Sequence, residues 1–183
     1  MTDRTSGALY YFHAHASGDR EELDYGHFHV FMRDVTGPID EVGQAGGPFH
    51  IIAIGMNELG MPVRLFTTNR WVTDETWRGA DRVVALVDRF AMDNDEPSRK
   101  LNRWITAMIR LFGPQIERLL VERDQAIAQW REHHPLGDVF EDRDLEITSS
   151  LSIDLQDHVA WLDRQVDATE GRIAGAHGAA GDT

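Results

Sequence analysis

Residues 11–33 read YFHAHASGDREELDYGHFHVFMR, two short segments that each carry a His-x-His pair and flank an acidic connection. A strand alternates its side chains with a period of two, so His13 and His15 share one face, as do His27 and His29. If the segments pair as antiparallel strands, cross-strand neighbours approach to about 5 Å at Cβ, and up to four imidazoles converge. On the second segment Phe28, Val30 and Met32 form an apolar stripe opposite His27, His29 and Phe31. The stripe is the expected core face. The histidine side then forms a partly polar interior or the wall of a cleft.

Working outward, Met1–Gly7 is polar and reads as a frayed end, and a strand begins at Ala8 with Leu9, Tyr11, His13 and His15 on one face. Asp34–Pro48 is a Gly-rich loop, and Phe49–Met56 a third strand expected to present His50, Ile52, Ile54 and Met56 together. A turn at Asn57–Gly60 leads to a fourth strand, Pro62–Thr68. Four strands with no intervening helix imply an antiparallel meander with one face free for helices.

The period then changes from two to 3.6. Thr73 or Asp74 is expected to cap a helix from about Glu75 to Met92, which the Asp93-Asn94-Asp95-Glu96-Pro97 run ends. Ser98 caps a second helix, with Leu101, Trp104, Ile105, Met108, Leu111 and Phe112 at helical spacing. Pro114 suits the first turn of a third, running to about Glu132. Leu145–Ser152 alternates as a fifth strand, and Asp154 caps a last helix with Leu155, Val159, Leu162 and Val166 inward. Trp77, Trp104, Trp130 and Trp161 fall within these apolar patterns and are expected in the core. The fold class is therefore α+β, an antiparallel sheet of four or five strands against three or four helices. A single domain is expected over residues 8–170, followed by a flexible tail, 171–183.

The chain has 183 residues, 42% hydrophobic and 27% charged, as a globular protein does. Its formal net charge of −13 argues against a non-specific grip on nucleic acid. No segment approaches the roughly 20 apolar residues of a membrane span, and the first residues lack a signal-peptide pattern. Cytoplasm is the expected compartment. The absence of cysteine excludes disulfides, thiolate nucleophiles and Cys-ligated metal sites.

A metal centre would thus use His, Asp, Glu or water. His13, His15, His27, His29 and His50 are the candidate ligands, since neutral imidazole suits zinc, iron, copper or nickel. The expected cofactor is a divalent ion (Zn, Fe, Mn, Ni or Cu). Asp19, Glu21 and Asp24 are candidate carboxylate ligands or partners for ring nitrogens. Glu21 or Glu22 is the candidate proton acceptor for ion-bound water. A second constellation, Thr67–Thr73, contains Thr68, Asn69 and Arg70 as candidate substrate contacts. The plainer reading makes Asn69 and Thr73 turn and cap residues and pairs Arg70 with a carboxylate. The histidines likewise have a plainer reading, as hydrogen-bonded strand residues or direct ligand contacts.

His-x-His on a strand resembles the cupin metal motif only in part. Glu21 falls beyond the usual distance after His15, and no later motif matches around His50. The segments Tyr10-Tyr11-Phe12-His13-Ala14-His15, Gly26-His27-Phe28-His29 and Thr67–Thr73 resemble a family of small, uncharacterised bacterial proteins. The resemblance spans about Leu9 to Ile153 and implies a shared arrangement without an assigned activity. It also implies an additional N-terminal helical segment in many members; its absence from the present sequence is expected to leave one side of the site more open.

The expected function is metal binding, with a metal-dependent enzyme acting on a small polar or anionic molecule as its catalytic form. The alternatives are a non-catalytic small-ligand module using the histidine cluster and Arg70, and a structural protein that forms a homodimer through a sheet edge or helix face.

Overall fold

The computed structural model describes residues 1–14, 25–33 and 46–179, with side chains only as far as residue 170. His15, Asp19, Glu21, Glu22 and Asp24 therefore lie outside the described residues. Two compact units are formed, Met1–Ser152 and Ile153–Thr183. The first holds strands β1 (Ala8–Ala14), β2 (Gly26–Met32), β3 (Phe49–Met56), β4 (Pro62–Thr68) and β5 (Ile147–Ser152), and helices α1 (Arg70–Thr73), α2 (Ala80–Val87), α3 (Arg99–Leu111) and α4 (Gly113–His133). The second unit contains α5 (Leu155–Ala179).

The five strands form one antiparallel sheet in sequential order. Phe12, Phe28, Ile54, Leu65 and Leu151 stand opposite one another in a row across it. Helices cover that face. Trp104 of α3 packs on Phe28 with ring centroids 5.8 Å apart, and the Tyr10 hydroxyl donates to buried Asn102 at 2.7 Å. From β5, the Ser149 hydroxyl donates to the Leu119 carbonyl of α4 at 2.8 Å. Val30, Ile52 and Ile54 are wholly buried, each contributing roughly 1.5–3 kcal/mol of transfer free energy.

Strict alternation fails at one point on β3. Val30 pairs with Ile52, but the next residue, Phe31, pairs with His50, so Ile51 is the extra residue of a bulge. His50 consequently shares a face with Phe31, while Ile52 shares one with Val30. The period-two expectation that His50 lies with Ile52 and Ile54 is overturned by this inserted residue.

The helix expected over residues 75–92 is also replaced. Arg70–Thr73 makes a single turn, which Asp74 ends in a left-handed conformation (φ 50°). Residues 75–79 form no regular element, with the Thr76 amide donating to the Pro48 carbonyl at 2.8 Å, and α2 begins only after Gly79. Gly79 provides no side-chain cap, and Asp124 of α4 accepts from the Ala80 amide instead, at 2.6 Å. The second and third predicted helices form close to the expected bounds, with Ser98 accepting from the Leu101 amide and Pro114 in the first turn of α4.

The N-terminus is anchored rather than frayed. Asp3 is buried, and its carboxylate accepts from the amides of Thr5, Ser6, Asp93 and Asn94 at 2.9–3.2 Å. Burial alone would raise its pKa; the four amides together hold it below the ordinary value. Among the described residues, no helix is long and apolar enough to cross a membrane.

Candidate functional site

The opposite sheet face carries the histidines. His13 pairs with His27 across β1 and β2, their rings stacked at 5.4 Å, and Tyr11 pairs with His29. The three described members of the two His-x-His pairs, His13, His27 and His29, thus lie on one side of the sheet. His27, His29 and His50 are buried, whereas His13 is exposed. The bulge completes the cluster by bringing His50 to the same side.

The three buried imidazoles form a row. His27 Nε2 lies 2.9 Å from His29 Nε2, and His29 Nδ1 lies 3.1 Å from His50 Nε2. Each contact needs a proton on one of its two nitrogens, so the tautomers along the row are interdependent. Ala53 and Gly55 of β3 stand opposite His29 and His27, and Phe66 and Arg64 of β4 stand opposite those two small residues. With so little side chain between them, the Phe66 ring reaches within 5.1 Å of the His27 ring. The Arg64 guanidinium lies 4.2 Å above Phe66, and Arg64 itself is buried.

At the β3 end of the row, the His50 amide donates to Glu75 Oε2 at 2.6 Å. The irregular stretch after α1 delivers Glu75 there. Burial pushes the Glu75 carboxyl up to about 7; the His50 amide and the charges of Arg123 and Arg70 oppose the rise, while Asp124 adds to it. Burial holds the His50 imidazole well below its ordinary pKa, reinforced by His29, Arg123 and His27. His50 is therefore neutral at pH 7, and Glu75 is poised between its two forms.

Arg123 of α4 is fully buried over the Trp77 ring, 4.1 Å from its centroid. Its Nη2 donates to the Arg78 carbonyl at 2.6 Å and to Asp124 at 2.7 Å. Among the described residues, several buried polar atoms in this neighbourhood have no hydrogen-bond partner: His50 Nδ1, Glu75 Oε1, Thr73 Oγ1, Arg78 Nε and Arg123 Nη1, with Thr68 Oγ1 at the end of β4. Buried polar groups are nearly always paired with protein, water or ligand. Such a concentration sets this region apart from the apolar core.

The other sequence candidates lie in the α1 corner. Asn69 is fully buried, accepts from the Arg70 amide at 2.8 Å and donates to the Val139 carbonyl at 2.7 Å. Arg70 pairs with Glu141, and Asp138 lies 3.6 Å away. Its charge nevertheless reaches Glu75. Thr68 ends β4, its hydroxyl without a hydrogen-bond partner among the described residues. Among the described residues, no group of three His, Asp or Glu side chains is arranged to hold a metal ion.

A family model matches residues 1–153, which is the whole first unit and the histidine face with it. The chain belongs to the family described as a domain of unknown function, DUF6969. That family has no assigned activity, in keeping with the resemblance carried by the His-x-His, Gly-His-Phe-His and Thr-Thr-Asn-Arg-Trp-Val-Thr segments. No curated protein matches the chain, and no solved structure matches it.

The sequence reading passed over three residues of this region. Glu75 read as the first turn of a helix. Arg123 had a signal, because it falls in phase with Ile116, Leu119, Leu120 and Ile127 on the buried side of α4. Arg64 had one too, sharing its strand face with Phe66 against Leu65.

Proposed function

We propose that this chain is a binding module for a small anionic molecule, recognised where the histidine row meets Glu75, Arg78 and Arg123. The observation that carries the reading is the set of unpartnered buried atoms around His50 and Glu75, in which arginine donors are prominent. A carboxylate or phosphate satisfies several such donors at once. Glu75, half-protonated near pH 7, can donate to the same anion, and Arg70 strengthens the positive field. Burial keeps the His50 imidazole neutral, so positive charge beside it is concentrated on the arginines.

A second reading is favoured by one distance. His27 Nε2 and His29 Nε2 are 2.9 Å apart, somewhat short of the roughly 3.3 Å separating two nitrogens on one tetrahedral zinc. A divalent ion (Zn, Fe, Mn, Ni or Cu) would use these two with further donors from beyond the described residues. His15, Glu21 and Glu22 are the proposed sources, the two glutamates also serving as proton acceptors in an enzymatic version. Such an ion would acidify bound water.

Ring-nitrogen NMR of the full chain, titrated separately with acetate, inorganic phosphate and zinc, tests both readings. Saturable shifts of His50 with either anion, lost in Arg123→Met, support the module. Stoichiometric zinc that survives dialysis, with His27 and His29 shifting and no anion response, overturns it in favour of the metal centre. No response to any of the three rejects both.

A further inference from the structure

Arg123 is fully buried, and its N–H groups can be followed one by one. The Nε–H donates to Asp124 Oδ1 at 2.9 Å. Nη2 donates to that same oxygen at 2.7 Å and to the Arg78 carbonyl at 2.6 Å. Both hydrogens of Nη2 are thereby used. Nη1 is left, buried and without a hydrogen-bond partner among the described residues. The Trp77 ring, 4.1 Å from the guanidinium carbon, fixes the plane in which Nη1 is offered.

The hold on Arg123 comes from an uncommon direction. Consecutive helical residues point about 100° apart and do not ordinarily face each other. Here the Arg123 side chain curls back onto its neighbour in α4, and that neighbour is itself tied down. Asp124 Oδ2 accepts from the Ala80 amide at the start of α2, at 2.6 Å. Asp124 thus occupies the Nε/Nη2 edge, along which an arginine can grip a carboxylate through two parallel bonds. The Arg78 carbonyl takes the other Nη2 hydrogen, so the Nη1/Nη2 edge is broken as well. Arg123 meets a ligand through one nitrogen.

We infer, resting on the binding-module reading above, that the anion is a phosphoryl group, free or esterified, and not a carboxylate, and that Asp124 is the positioning residue behind this preference. A carboxylate has two oxygens in one plane and gains most from an intact fork. A phosphoryl group presents three acceptor oxygens in different directions and can collect single donors from separate side chains. The buried donors without partners among the described residues are of that second kind: Arg123 Nη1, Arg78 Nε, Thr73 Oγ1 and Thr68 Oγ1.

Calorimetric titration of the full chain with inorganic phosphate, methyl phosphate and acetate, at fixed pH and ionic strength, tests this. At least one phosphate should bind about tenfold more tightly than acetate, the equivalent of one charge-assisted hydrogen bond. The tighter of the two shows whether the group arrives free or on an ester. Asp124→Asn keeps an oxygen for the Arg123 hydrogens, so the preference should persist. Asp124→Ala opens the Nε/Nη2 edge to the ligand, and the preference should fall by about tenfold relative to Asp124→Asn. Both variants delete the same charge, so the difference between them reports the grip on Arg123 and not the field. Acetate binding as tightly as both phosphates overturns the inference without recourse to a variant, and leaves the binding module standing. Equal preference in the two Asp124 variants overturns the role of Asp124. Binding of none of the three overturns the module and the inference together.

Discussion

The two faces of the sheet are both buried at their centre but are built on different chemistry. Under α3 and α4 the rows are Phe28, Val30, Ile52, Ile54 and Leu65, and removal from water is their whole contribution. On the other face His27, His29, His50, Arg64 and Glu75 are equally hidden. There, each group is tolerated only through the bonds it makes, and among the described residues His50 Nδ1 and Glu75 Oε1 make none. The first face explains why the chain folds. The second carries polar cost that stability alone does not require, which is the pattern expected of a binding site.

Four measurements sharpen or break that contrast. Ile52→Ala, on the helix-covered face, should have the largest effect: about 2–5 kcal/mol lost in urea unfolding, with anion response at His50 retained. If anion response vanishes with it, the faces are not separable.

Glu75→Gln should rank second, through pH. The folded pKa of Glu75 is raised to about 7 from 4.5, so the native state holds the extra proton between those values and its stability falls as pH rises through them. His50 has the opposite sign: its folded pKa is depressed, so stability is lost as pH falls below about 6.5. Glu75→Gln removes the first dependence and leaves the second. Unfolding free energy should then climb from pH 4.5 to 7 relative to the parent, gaining on the order of 3 kcal/mol above pH 7. An unchanged slope would mean that Glu75 titrates normally.

His29→Ala should cost about 1–3 kcal/mol, because it strips partners from His27 Nε2 and His50 Nε2. Replacing all three buried histidines by leucine should recover much of that loss while abolishing any ligand response. A loss equal to that of Ile52→Ala would make the histidine face ordinary core. Arg70→Ala should matter least, under about 1 kcal/mol and less in high salt, since Arg70 and Glu141 are both solvent-accessible.

The sheet was legible because alternation and turn residues agree along the first four strands, and α3 and α4 because their apolar spacing is strong. What the sequence concealed arose where a single residue changes phase. Ile51 bulges and swings His50 across the sheet. Asp74 adopts a left-handed conformation and converts the start of a predicted helix into the irregular arm that carries Glu75. Neither event leaves a glycine or proline at the decisive position. Arg123 was visible as a charge in an apolar register, yet nothing local revealed that Trp77 and Asp124 would receive it.

The sequential strand order has a consequence during synthesis. Four strands are complete at Thr68, yet α4, which covers them, ends at His133, so 65 residues (69 to 133) must still be translated. At roughly 5–20 residues per second, that leaves a nascent sheet with its greasy side bare for about 3–13 s. A chaperone that shields β-rich nascent chains would find its longest opportunity in that interval, before the helical roof closes and β5 zips onto β4.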